Sequence, residues 1–434
     1  MSSKPPPDHL RASDIRGIAQ LATQATKGVN GIVEGVHQSV RTTMGIPGGN
    51  EPGRTRGITG LVYKTVRGVT HLVGKGVDTV LAELEPLFDS DDDTDQATPR
   101  RDAVLAALNG VMGDRLVASN NRFAIPMSLR HDGVELDWQD LPQAPEVTGK
   151  VLLLIHGLCM TDHQWRTQRD DQVVDHGESL ASALGYTPVY LRYNSGLHTS
   201  QNGRELSGLL ERLVGQWPTP IEELTVVAHS MGGLLIRSAY HLAREKALRW
   251  PDQLKSIVFL GTPHHGAPLE RVGNWVDQIL ISTPYTRPFA KLGHLRSAGI
   301  TDLRFGHLLD EDWQGRDRFS RTPDHRRVVP LPERVACYSV AAATAADRGV
   351  LADRLVGDGL VPLRSALGLH DEPRRRLVFP QESQRIEYRT NHMGLLSSPE
   401  ITRQISLWLG PDSTTESPCA LPTVGKPSDG GPRG

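Results

Sequence analysis

A serine flanked by small residues lies in the stretch LTVVAHSMGGLLIRSAYHLA, which runs from Leu224 to Ala243. An apolar run typical of a buried strand ends at Ser230, and a helix-like pattern begins directly after it. The sharp turn that lifts a serine hydroxyl out of a sheet tolerates only small residues two positions to either side, here Ala228 and Gly232. The first turn of the following helix directs free backbone N–H groups toward that serine. The pattern therefore predicts that Ser230 is a nucleophile rather than a structural turn serine.

A serine hydroxyl needs a general base to become reactive, and the chain offers 17 histidines. His392 follows the strand-like run IEYR and precedes the last helix, which begins with Ser398 as its cap and Pro399 in its first turn. A histidine in such a loop can reach over the edge of a sheet toward the nucleophile. We expect His392 to be the base, with His264 and His265 of GTPHHGAPLE as its rivals.

The base in turn needs a carboxylate that orients it, and VGDGLVPLRSALG offers Asp358 between two glycines. Flanking glycines let the backbone fold tightly, so that the carboxylate faces inward. Asp347 and Asp353 are alternatives, and we interpret them as solvated loop charges.

The segment AHSMGG resembles the nucleophile elbow of the α/β-hydrolase superfamily, in the Ala-x-Ser-x-Gly form of some bacterial lipases and of proteins like GPI inositol-deacylases. LLLIHGLCM is similar to the family segment in which the residue after His-Gly donates its N–H to the oxyanion hole. The resemblance implies Leu158 and Met231, the residue after the nucleophile, as the two donors. Where the family often has a second glycine this chain has Cys159-Met160-Thr161, and we interpret Cys159 as a small packed thiol.

The family's catalytic order is Ser, then Asp or Glu, then His, which fits Ser230, Asp358 and His392. The stretch around Asp358 is similar to the family segments that carry the catalytic aspartate. GTPHHG is similar to a lipase loop whose histidine shapes the pocket wall, so His264 and His265 are implied as substrate-pocket residues.

The resemblance covers roughly residues 145 to 410 and implies a lipase- or esterase-like serine hydrolase. Such an enzyme cleaves acyl or lipid-like carboxylic esters through an acyl-enzyme, without metal or organic cofactor. Two alternatives stay open. An acyltransferase would use the same three residues with an acceptor other than water, and a lipid-surface interaction protein would keep only vestigial activity.

Near-continuous apolar runs alternate with helical patterns through the middle of the chain. Continuous rather than alternating patterning indicates strands that are buried on both faces, as in a parallel sheet covered by helices. The order predicts an α/β-hydrolase fold with a mostly parallel central sheet, preceded by a helical N-terminal extension. The runs are VLLLIHG from Val151, TPVYLRY from Thr187, LTVVAHS from Leu224, SIVFLGTP from Ser256 and VACYSV from Val335.

Composition divides the chain into three predicted regions: a helical, repeat-containing region over 1–110, a hydrolase domain over 111–410, and a disordered tail over 411–434. Within the second region, about 266–330 is predicted to form a cap, and its Trp275 is a candidate for the substrate pocket.

The first region contains an internal repeat, in which RGIAQLATQATKGVNGIVEGV from Arg16 is matched by RGITGLVYKTVRGVTHLVGKGV from Arg56. Apolar residues recur every three or four positions, which indicates helices with one apolar stripe. Several glycines would leave these helices weak alone. Two interpretations stay open for residues 16–82: peripheral contact with a lipid surface, or packing against the hydrolase domain.

Composition excludes some classes of partner. Lys+Arg 48 against Asp+Glu 50 and 5% aromatic residues give no electrostatic or stacking case for nucleic acid. Three widely spaced cysteines fit a reducing compartment, and the start MSSKPPPDHL has no apolar core of a secretion signal. We expect a cytoplasmic protein, in free form or peripheral to a membrane or lipid surface.

Overall fold

The computed structural model describes residues 99–139, 141, 147–169, 172–267, 296–316, 323–346 and 357–410. Several of the features named above lie outside these residues: the N-terminal repeats at 16–82, Asp347, Asp353, Trp275 and the tail over 411–434.

Among the described residues, eight strands form one sheet in the order β10-β9-β8-β7-β3-β6-β1-β2, and β4 pairs with β5 in a separate two-stranded ribbon. The six strands from β10 to β6 in that order are mutually parallel, while β1 joins β6 antiparallel and β2 joins β1 by a hairpin. The hairpin turns at Asp132-Gly133, a dipeptide that favours two-residue hairpin turns. The strands are β1 Ser128–His131, β2 Val134–Glu135, β3 Lys150–Ile155, β4 Arg166–Arg169, β5 Gln172–Asp175, β6 Thr187–Arg192, β7 Glu223–His229, β8 Leu254–Leu260, β9 Ala336–Ala343 and β10 Gln384–Tyr388.

The five predicted strands are confirmed as β3, β6, β7, β8 and β9. The last helix begins as predicted, because the Ser398 side chain accepts a hydrogen bond from the N–H of Ile401 and Pro399 follows the cap. The helices are α1 Pro99–Ala118, α2 His176–Leu184, α3 Thr199–Gln216, α4 Met231–Glu245, α5 Trp250–Gln253, α6 Ala298–Asp302, α7 Leu363–Ala366 and α8 Pro399–Leu409.

Helices cover both faces of the sheet because successive residues of a strand point to opposite sides. In β3, Leu153 and Ile155 pack in one apolar cluster with residues of α3 and α4. The intervening Leu152 and Leu154 pack in another with residues of α2 and α8. The continuous apolar strands are therefore buried from both sides, and with this strand order the chain has the predicted α/β-hydrolase fold.

Helix α1 packs against the same domain as the sheet. It runs across residue 110, where the sequence predicts the N-terminal region to end. The division into domains stays a prediction. Its apolar residues share a cluster with Leu158 and Met231. Near its start, Asp102 lies 2.8 Å from Arg192 Nη2 and 2.9 Å from His163 Nε2. Burial acts to raise the pKa of Asp102, but the hydrogen bond with His163 and then the charge of Arg192 hold it below its usual range. These contacts fix α1 to the loop after β3 and to the end of β6.

We expect Gly110→Ala to destabilise the fold, although alanine is the better helix former. A Cβ at Gly110 would lie 2.2 Å from Cys159 Sγ and 2.9 Å from Cys159 Cα, so helix and loop would have to separate. Overpacking of this kind costs about 1–3 kcal/mol, more than the gain of roughly 0.5–1 kcal/mol in helix propensity. Thermal unfolding followed by circular dichroism measures the difference.

Gly208 in α3 supplies the matched control, because a Cβ there has nothing within 4 Å. Gly208→Ala should raise the melting temperature. Equal melting temperatures for the two variants would contradict close packing of α1 on the Cys159 loop.

Candidate active site

Ser230 occupies a sharp turn between β7 and α4. Its backbone has φ 54° and ψ −123°, a conformation that costs a non-glycine residue on the order of 1–3 kcal/mol and is held only where surrounding structure imposes it. Its N–H donates to the carbonyl of Leu260 at 2.8 Å, which ties the turn to the end of β8. The Ser230 hydroxyl is buried and has no hydrogen-bond partner among the described residues.

Two glycines make room for this turn. A Cβ at Gly232 would lie 2.6 Å from the carbonyl oxygen of Ile155 and 2.7 Å from that of His156, so only glycine lets α4 start against the end of β3. A Cβ at Gly157 would lie 3.0 Å from Ser230 Cβ. The loop after β3 therefore runs directly alongside the serine, which explains the small residues in both sequence motifs.

Asp358 lies in a tight turn beside the end of β9. Its Oδ1 accepts hydrogen bonds from the N–H groups of Leu360 at 2.9 Å and Val361 at 2.7 Å. Gly357 is required because a Cβ there would lie 1.8 Å from the Val361 carbonyl oxygen, and Gly359 adopts φ 93°. The turn fixes one carboxylate oxygen and leaves Oδ2 to face another group.

That other group is His392, in the loop after β10. Its Nδ1 lies 2.6 Å from Asp358 Oδ2, and its N–H donates to the Asp358 carbonyl at 3.1 Å. A carboxylate only accepts, so Nδ1 carries a proton, and in the neutral imidazole the lone pair is therefore on Nε2. The loops after β7, β9 and β10 meet because the carboxyl ends of parallel strands lie at one edge of the sheet.

His229 and Gly261 position the imidazole of His392, and the sequence patterns did not single out either. The ring of His229, the residue before the serine, lies 4.6 Å from the ring of His392, and its Nε2 lies 3.2 Å from the His392 carbonyl oxygen. Burial and the neighbouring His392 hold the pKa of His229 well below its usual range, so it stays neutral. A Cβ at Gly261 would lie 3.1 Å from the His392 ring. The sequence marks His229 and Gly261 only by their positions, each at the end of an apolar strand.

The N–H groups of Leu158 and Met231 donate to no residue in the described part of the chain. Both residues are buried, in the loop after β3 and the first turn of α4. Cys159 adopts φ 59°, and its N–H donates to Ser195 Oγ at 3.0 Å. Burial raises the pKa of the Cys159 thiol to about 12, so it is a protonated thiol at neutral pH and no nucleophile.

His264 and His265 line a different cavity, and neither imidazole hydrogen-bonds to Ser230, Asp358 or His392. The His264 ring packs on Phe259 with ring centres 4.8 Å apart. Their part in a substrate pocket stays a prediction. His156, the first residue after β3, has its Nδ1 2.8 Å from the Gly157 carbonyl oxygen, and burial lowers its pKa to about 4.

Ser230, Asp358 and His392 are all buried: Ser230 is 1% exposed, and Asp358 and His392 are each 2% exposed. Within the described ranges, no group of three or more His, Cys, Asp or Glu side chains is arranged to hold a metal ion. No helix in the part of the chain that the structure describes is long and apolar enough to span a membrane.

Comparison with known proteins gives one family and several solved structures. A family model described as a domain of unknown function, DUF7379, matches residues 126–303, less than half of the chain. That segment contains Ser230 and the loop after β3 but ends before Asp358 and His392. Comparison with curated proteins gives no match.

The similar solved structures include a lipase, an esterase and a thioesterase. The Bacillus licheniformis lipase BlEst2 in mature form is 17% identical over 65% of this chain and 96% of its own, with a TM-score of 0.40. The Pyrococcus furiosus esterase Pf2001 is 12% identical over 60% of this chain and 80% of its own, with a TM-score of 0.35. The thioesterase RedJ of prodiginine biosynthesis in Streptomyces coelicolor is 14% identical over 64% of this chain and 96% of its own, with a TM-score of 0.32. Similarities this low carry no argument about reaction or substrate.

Proposed function

We propose that this chain is a serine hydrolase that cleaves carboxylic esters through an acyl-enzyme. Ser230 is the nucleophile, His392 the general base and Asp358 the carboxylate that orients it. The backbone N–H groups of Leu158 and Met231 form the oxyanion hole.

The observation that carries this proposal is the 2.6 Å contact of His392 Nδ1 with Asp358 Oδ2, beside a serine in a strained turn. A structural turn serine would account for the conformation of Ser230. It would not account for a buried Asp–His pair built on two other strand ends and held against the residue before that serine.

The reaction follows from these positions. Ser230 Oγ bonds to the acyl carbon while its proton passes to His392 Nε2, and Asp358 stabilises the imidazolium. The two N–H groups stabilise the oxyanion, which is typically worth several kcal/mol in the transition state. His392 then protonates the leaving alcohol as its bond to the acyl carbon breaks. Water attacks the acyl-enzyme, gives its proton to His392, and the released serine takes that proton back.

The surroundings of Leu158 and Met231 favour an apolar acyl group in the substrate. Leu158 and Met231 belong to a cluster that also contains Leu108 and Val111 of α1 and Ile300 of α6. Burial of an acyl chain against such residues stabilises binding by about 0.8 kcal/mol per CH₂ group. The likeness of AHSMGG to GPI inositol-deacylases adds glycolipid esters to the candidate substrates. A lipid-surface contact through residues 16–82 remains a prediction, and a protein with vestigial activity would be expected to lack one of the three residues.

Acyl transfer to an alcohol is the second candidate, and the burial of Ser230, Asp358 and His392 favours it. Where water is excluded, another acceptor competes better for the acyl-enzyme.

Product analysis separates the two candidates. The full chain is incubated with p-nitrophenyl esters of increasing acyl length, with and without glycerol as an alternative acceptor. As a hydrolase it should release free acid in a 1:1 ratio to p-nitrophenol at every glycerol concentration. Glyceryl ester as the main product would establish a transferase. Absence of p-nitrophenol release across the whole series, against a protein-free blank, would contradict both proposals.

A further inference from the structure

A second cavity lies beside α4, away from the serine. It opens to solvent and comprises about 270 Å³ of space not filled by protein atoms, between α4, the loop after β8 and the segment 323–330. Its charged and imidazole side chains are Arg237, Arg326, Arg327, Arg375, His264 and His265, and among the described residues no carboxylate lines it.

Arg237 is a buried cation that pairs with no acidic side chain among the described residues. It is 4% exposed, and in the described structure no carboxylate oxygen lies within 4 Å of its guanidinium. Its Nη2 donates to the Val329 carbonyl at 2.6 Å, its Nη1 lies 3.3 Å from His264 Nδ1, and its Nε donates to no group in the described ranges. Burial, and after it the charge of Arg326, lower the pKa of Arg237 to about 9, so the group remains charged at neutral pH.

The neighbouring carboxylates are already engaged. Asp324 Oδ2 lies 3.1 Å from Arg326 Nε and 3.3 Å from Arg375 Nη1, so one carboxylate serves two guanidinium groups. The exposed Glu372 carboxylate pairs with Arg375, with its Oε2 3.3 Å from Arg375 Nε. Asp312, which also attracts Arg326, accepts the backbone N–H groups of residues 308, 309 and 327.

The two histidines and the nearby thiol supply no negative charge. Burial lowers the pKa of His265 to about 3 and holds that of His264 well below its usual range, so both are neutral. Since Nδ1 of His264 accepts from Arg237, its buried Nε2–H is a donor that no described residue satisfies. A thiolate at Cys337 would be near enough to raise the pKa of Arg237. Burial, however, raises the pKa of the Cys337 thiol to about 12, so the thiol stays protonated.

We propose that this cavity binds a small inorganic anion, which is the counter-ion of Arg237. An uncompensated charge in the interior costs several kcal/mol, whereas an anion there would neutralise Arg237 and accept from its spare N–H groups. Guanidinium donors suit both a halide and an oxyanion such as phosphate. The anion would bridge α4, the loop after β8 and the segment 323–330, about 10 Å along the helix from the nucleophile at about 1.5 Å per residue.

Thermal unfolding of the full chain tests the site. Melting temperatures are measured in sodium chloride, sodium phosphate and sodium gluconate at equal pH and ionic strength. A ligand that binds only the folded protein raises stability in a saturable way. We expect chloride or phosphate to raise the melting temperature above its value in gluconate, and the more effective salt identifies a halide or an oxyanion.

Arg237→Met should abolish this difference between salts. Arg327→Met is the matched control, because Arg327 is 48% exposed at the rim and pairs with Glu245 and Glu311, and it should keep the difference. A parent protein with one melting temperature in all three salts would overturn the proposal, as would an Arg237→Met variant that keeps the full response. If Arg237→Met does not fold, Arg375→Met decides: a weaker difference between the salts than in the parent supports the site, and an unchanged difference refutes it.

Discussion

Ser230→Ala is expected to lower kcat for p-nitrophenyl ester hydrolysis by on the order of 10⁶-fold. The substitution removes the one oxygen that can bond to the acyl carbon at this strand end, and it leaves the turn, the Asp358–His392 pair and the oxyanion donors in place. Release of p-nitrophenol is followed at 405 nm, with the folded state of the variant checked by circular dichroism.

Ser238→Ala, on the same helix, is the matched control. Its hydroxyl donates to the Leu308 carbonyl at 2.6 Å, so its loss should lower the melting temperature and leave kcat within a few-fold of the parent. Hydrolysis by Ser230→Ala at the parent rate would exclude Ser230 as the nucleophile.

Asp358→Asn should lower kcat by about 10⁴-fold while the fold is kept. Two backbone N–H groups at 2.9 and 2.7 Å hold one side-chain oxygen of residue 358, and an asparagine must keep its carbonyl oxygen there. Its NH₂ group then faces His392 Nδ1, which has to accept. The proton moves to Nε2, and the imidazole loses the lone pair that takes the serine proton. Steady-state kinetics over pH 5–9 should show the loss at every pH.

Asp371→Asn controls for the loss of a carboxylate, because Asp371 is 94% exposed and pairs with Arg364 at the surface. It should leave kcat unchanged. A loss of less than tenfold in Asp358→Asn would remove Asp358 from the mechanism and return Asp347 and Asp353 to consideration.

The strands and the residues at their ends were predictable from the sequence because both depend on local pattern. An apolar run that stops at a small residue, a histidine or an aspartate between glycines marks a strand end, and parallel strands gather their ends at one edge. This pattern, together with the order Ser, Asp, His of the family that the motifs resemble, is why Ser230, Asp358 and His392 could be named together before any contact was known. Their catalytic roles remain for the variants above to test.

The contacts that hold these residues depend on packing between segments far apart in the chain. His229 touches His392 across 163 residues, and Arg237 meets Val329 across 92. Neither pair has a local signature. The position of α1 could not be predicted for the same reason. The composition of residues 99–110 is similar to that of the N-terminal region, but these residues pack in one cluster with Leu158 and Met231.

The path of α1 determines where the chain can be divided. A shortened protein that starts at residue 111 would lose half of this helix, strip the cover from Leu158 and Cys159, and leave Arg192 without Asp102. Damage to the loop after β3 would then be mistaken for a contribution of the N-terminal repeats. A shortened protein that starts at Pro99 keeps the whole helix. Any property that this protein lacks therefore depends on the first 98 residues.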